Sequence, residues 1–83
     1  MKYIENFKFL KAEEMTRKET GRRFIVLNVL DVDNNPCRFF VFDDVVVNKI
    51  IGFNLAGLQD VTVSFTLSCG QNGWSVHLDD ISA

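Results

Sequence analysis

The sequence predicts a mainly β domain: a small five-stranded antiparallel barrel with a short helix between strands three and four. Three observations point there. Apolar and polar residues alternate with the period of a strand in several segments. Two turn clusters, Asp33-Asn34-Asn35-Pro36 and Gly70-Gln71-Asn72-Gly73, each join a pair of such segments. A longer connector, residues 43–59, separates the two pairs.

Tyr3 to Leu10 reads as the first strand, with Tyr3, Glu5, Phe7 and Phe9 on one face. Lys11 to Gly21 follows as a polar, charged loop. Phe24 to Val32 is rich in Val, Ile, Leu and Phe, the residues that suit a pleated surface. Ile25, Leu27 and Val29 share its drier face, whereas Asn28 marks the other as the wetter one. Pro36 has no N–H for a central ladder and belongs to the turn before the third strand, Cys37 to Phe42. In the connector, β-branching opposes a long helix, so a short one between Val45 and Leu58 is expected to plug one end of the core. Val61 to Cys69 alternates most regularly, with Thr62, Ser64, Thr66 and Ser68 opposite its apolar side. Trp74, Val76 and Leu78 return on one face of the last strand, and Ile81 closes the chain.

With 83 residues, 47% of them apolar, the chain forms a single domain spanning 1–83. No apolar run approaches the roughly 20 residues that span a bilayer. The opening residues lack the long apolar stretch of a secretory signal, so a cytoplasmic protein without membrane association is expected. Cys37 and Cys69 lie far apart, on the apolar sides of their strands; buried free thiols are expected, a disulfide being the alternative. The single histidine, His77, has no partners for a metal site or a triad, and no cofactor is expected. The carboxylate pairs Glu13-Glu14, Asp43-Asp44 and Asp79-Asp80 sit on adjacent residues, which point apart in a strand. An enzyme is not expected.

The net charge of −2 argues against a general polyanion binder, but its distribution is uneven. Residues 1–23 hold seven basic residues against four glutamates, a balance of +3; residues 24–83 hold two against seven aspartates, a balance of −5. In the third strand, Arg38, Phe40 and Phe42 share a face, placing a cation beside two flat rings. Such groups hold unstacked bases.

Strand, charged segment, strand, tight turn, strand, connector, strand, tight turn, strand is the order of an oligonucleotide/oligosaccharide-binding (OB) barrel, with an SH3-like barrel as its nearest competitor. The Lys11–Arg23 segment, the run Phe24-Ile-Val-Leu-Asn-Val-Leu with Cys37-Arg-Phe-Phe-Val-Phe, and the ending Gly70 to Ile81 together resemble the small single-stranded DNA-binding proteins of phages and other mobile elements. The resemblance is one of pattern over most of the chain. It implies single-stranded DNA as partner, with Lys11, Arg17, Lys18, Arg22 and Arg23 neutralising phosphates. Arg38, Phe40 and Phe42 would form a stacking platform, joined by Phe24 and Asn28, and Trp74 would stack a further base or seal the barrel. The alternative is a protein-interaction or self-association module: exposed aromatic patches also mark partner surfaces, and an edge strand such as Val61–Cys69 can pair with its copy in a homodimer.

Overall fold

In a computed structural model describing residues 1–83, five strands and one helix follow in the order β1 (Lys2–Thr16), β2 (Arg23–Leu30), β3 (Pro36–Val41), α1 (Asp44–Phe53), β4 (Asp60–Gly70) and β5 (Gly73–Ser82). All strands join one antiparallel sheet in the order β3-β2-β1-β4-β5.

Strand β1 organises the sheet. Its first half, Lys2–Lys8, pairs with β4, and its second half, Lys8–Thr16, pairs with β2. The register shifts between Phe9 and Lys11, leaving Leu10 as an extra residue. An extra residue bends a strand and increases its twist, which lets one strand serve both halves of a curled sheet. The charged segment expected to be a loop from Lys11 is therefore strand as far as Thr16: Lys11 through Thr16 pair with Asn28 through Arg23. Its polarity reflects exposure on both faces, not a break in the ladder. The true connection is Arg17–Arg22, closed by Gly21 at φ 70°.

The concave face collects the core. Phe7 and Phe9 of β1, Ile25, Leu27 and Val29 of β2, Phe39 and Val41 of β3, Val61 and Val63 of β4, and Leu78 and Ile81 of β5 are all buried. Phe7, Phe39 and Phe65 meet there, with ring centroids 5.5–6.5 Å apart. Helix α1 covers one end with Val46, Val47 and Ile50. Asp43 caps it by accepting the N–H of Val45, and Asn54 ends it in the left-handed region. No polar side chain is buried.

Strands β3 and β5 stand at opposite ends of the strand order and come into contact without pairing, so the sheet is not closed. Two expectations about edges change accordingly. β4, the edge strand of the self-association alternative, is instead an interior strand between β1 and β5. The last hairpin extends past the core: Ser68 to His77 are all exposed, although Cys69, Trp74 and Val76 keep the side-chain parity of the buried face. Cys69 is thus exposed, not buried, and Cys37 is half-buried; both thiols are free. No helix is long and apolar enough to cross a membrane.

Candidate functional site

The convex face of β1-β2-β3 carries the most distinctive group of side chains in the molecule. Antiparallel register places opposed residues on the same face. Across the three strands it gives one row of Glu13, Val26 and Phe40 and another of Lys11, Asn28 and Arg38; Met15 opposes Phe24, and Phe42, one residue past the end of β3, stacks on Phe24 to complete a third row. Aromatic rings therefore occupy the end nearest the β1–β2 connection, and cations and an amide occupy the other.

The rings are open to solvent. Phe40 is 51% exposed and Phe42 45%. Phe24 and Phe42 stack with centroids 5.2 Å apart and planes 30° apart, and the Arg17 guanidinium lies 5.2 Å from the Phe42 centroid. A cation at that range is drawn to the ring face. Phe42 thus has two neighbours against its ring, while Phe40 stacks on no other aromatic. Val26, although on the convex side, is buried within this layer. Asn28 is half-buried and donates through Nδ2 to the carbonyl of Val26 at 3.3 Å.

The basic residues divide into two groups. Arg23 donates to Glu14 at 3.0 Å and to Asn48 of α1 at 3.4 Å, and Arg22 lies 3.5 Å from Asp44. Both are engaged with the helix side, and Arg23 has the opposite parity to Phe24. Lys11 pairs with Glu13 at 3.2 Å on the convex face itself. Lys8 and Lys49 pair with Asp60 and Asp80. Of the nine basic residues, only Lys2, Arg17, Lys18 and Arg38 have no carboxylate within ion-pair distance. Arg17 and Arg38 belong to the aromatic face, and Lys18 sits in the adjoining connection, which also carries Glu19.

Trp74 lies apart from these rows, 65% exposed on the projecting β4–β5 hairpin opposite Cys69. It neither packs in the core nor seals the sheet. Met15 and Glu13 were not anticipated at the site, because their segment reads as a loop. The signal was present as alternation of a different kind: Lys11, Glu13 and Met15 against Ala12, Glu14 and Thr16, with little hydrophobic contrast.

Elsewhere, Phe9, Ile25, Ile50, Ile51 and Leu55 with Glu14 line a shallow cleft of about 210 Å³ between the β1–β2 hairpin and α1. No family model, curated protein or solved structure matches this chain.

Proposed function

We propose that this chain is an OB-type domain that binds single-stranded DNA, without catalysis, on the convex face of β1-β2-β3. The observation that carries the reading is the half-exposed ring of Phe40 between the Phe24–Phe42 stack and Arg38, flanked by the cations that lack carboxylate partners. The strand order β3-β2-β1-β4-β5, with the helix between β3 and β4 and a β1 shared by both halves, supports the OB assignment, since that fold is a partly open five-stranded barrel. Its ligand face is formed by strands two and three, and its flanking loops correspond here to Arg17–Arg22 and Gly70–Gly73.

The spacing suits an extended strand. Phe40 lies in β3 and Phe42 one residue past its end; at strand-like rise the two are separated by roughly 6.7 Å. Stacked nucleotides rise only about 3.4 Å each, so neighbouring rings accept bases from an unstacked chain. Phe40 offers the open platform. A base at Phe42 shares its ring with Arg17, whose guanidinium is also placed to meet the adjacent phosphate.

Titration of labelled oligo-dT with wild-type protein and Phe40→Ala tests this. One stacking contact is worth roughly 1–3 kcal/mol, so the variant should bind about 5- to 150-fold more weakly. Absence of wild-type binding at low salt refutes the proposal.

A further inference from the structure

Besides this face, the projecting half of β5 forms a second surface, with a different chemistry. Leu67 of β4 spends both backbone groups on Met1, the residue before β1, exchanging hydrogen bonds of 2.8 Å with it in each direction. Its cross-strand partner on β5 is Val76. The Leu67–Val76 pair is therefore a non-hydrogen-bonded one, and Val76 turns its own N–H and C=O away from β4, towards the free edge. Trp74, two residues earlier, does the same. An edge of unpaired backbone groups is a template for another strand.

This edge lacks the usual protection. Gly73-Trp74-Ser75-Val76-His77 contains no Lys, Arg, Asp, Glu or Pro, whereas β3, the opposite edge, opens on Pro36 and carries Arg38. Trp74 and Val76 are 65% and 49% exposed, on the same side as half-buried Leu67.

We propose that residues 73–77 of β5 pair antiparallel with the same residues of a second copy of this chain, forming a two-fold dimer and one continuous sheet. The segment is self-complementary. With Ser75 on the two-fold axis, each Trp74 lies opposite the other copy's Val76, an aromatic–β-branched pair of the kind that stabilises sheets. The residues whose backbone groups point outwards then meet each other, as a hydrogen-bonded ladder requires. Charge permits this register: Gly73 meets the other copy's His77, and Asp79 and Asp80 lie beyond the Gln71-Asn72 tip of the other copy's hairpin, so no carboxylate faces its counterpart. A two-fold arrangement closes the assembly at two chains. It also leaves the convex face of β1-β2-β3 free on both copies.

Sedimentation velocity on a dilution series, without nucleic acid, tests the proposal, with Trp74 emission as a second readout because it is the only tryptophan. The wild type should pass reversibly from dimer to monomer on dilution, its emission moving to longer wavelength. Val76→Lys places charge at the edge, and Val76→Pro removes an N–H that points outwards; each should be monomeric throughout, with emission independent of concentration. A wild type that is monomeric at every soluble concentration overturns the proposal, whatever the variants do. So does a dimer that survives in both folded variants, or one dissolved by Phe40→Ala instead. DNA binding takes no part in the measurement, so its failure leaves this outcome unaffected.

Discussion

Replacing Arg38 and Arg23 in turn separates a charge that serves the convex face from one that serves the fold. Arg38 has no carboxylate partner, whereas Arg23 is held by Glu14 at 3.0 Å and by Asn48. Each phosphate neutralised on a single strand contributes about −0.7 to the slope of log K against log salt. Arg17, Lys18 and Arg38 are the unpaired cations at or beside the rings, and three such contacts give a slope of about −2.1. Arg38→Ala should lower this to about −1.4, with weaker binding at every salt concentration. Arg23→Ala should leave the slope near −2.1 and instead loosen the junction between the β1–β2 hairpin and α1. Fluorescence anisotropy with labelled oligo-dT at four or so salt concentrations reads both numbers. A wild-type slope near zero, or equal changes from the two substitutions, refutes the division of the basic residues drawn from the ion pairs.

Leu27 is fully buried at the centre of the concave face, so Leu27→Ala should cost about 2–5 kcal/mol, seen as a large fall in the urea midpoint, without altering the convex face. Asp31 accepts N–H bonds from Asn35 and Asp33, and the Lys49 ammonium bonds to Asp80; these contacts hold both carboxyls below their ordinary value of 3.8. Because the folded values are depressed, the stabilisation is complete above the unfolded value and is lost as pH falls through the folded one. An acid titration followed by circular dichroism should accordingly be shallower for Asp31→Asn with Asp80→Asn than for wild type. Burial, and secondarily the charge of Asp31, pushes the Cys37 thiol up, while Cys69 is exposed; iodoacetamide at about pH 8 should modify Cys69 before Cys37, read by mass spectrometry of the peptides.

Much of this arrangement was legible because strand parity is a local property. Ile25, Leu27 and Val29 share the inward face, and Phe40 and Phe42 share the face opposite Phe39 and Val41, as alternation requires; that the second face is the exposed one is settled by the packing, not by the alternation. The helix also falls where the connector predicted it. What misled were places where parity and burial separate. Cys69 carries the parity of the core face, where a buried thiol is expected, yet its hairpin extends beyond anything that covers it. Lys11 to Thr16 shows little hydrophobic contrast, yet the backbone ladder with β2 keeps it a strand. Both errors share one origin: alternation reports which side of a sheet a residue occupies, whereas burial depends on how far the sheet extends past its core.

The proposed function requires an acidic chain to bind a polyanion. At about 0.1 M salt, charges are screened beyond roughly 10 Å, so at a distance an approaching strand senses neither the total of −2 nor the cations of the convex face. Long-range steering contributes little. Only within a few ångströms of the convex face do Arg17, Lys18 and Arg38 outweigh Glu13 and Glu19, and there the rings add a contact that screening does not weaken. Affinity built this way depends on how slowly the strand leaves. In the proposed complex Phe40 would hold a base by contact with its ring, so Phe40→Ala should act on the dissociation rate and leave the salt slope unchanged, while loss of Arg38 should alter both.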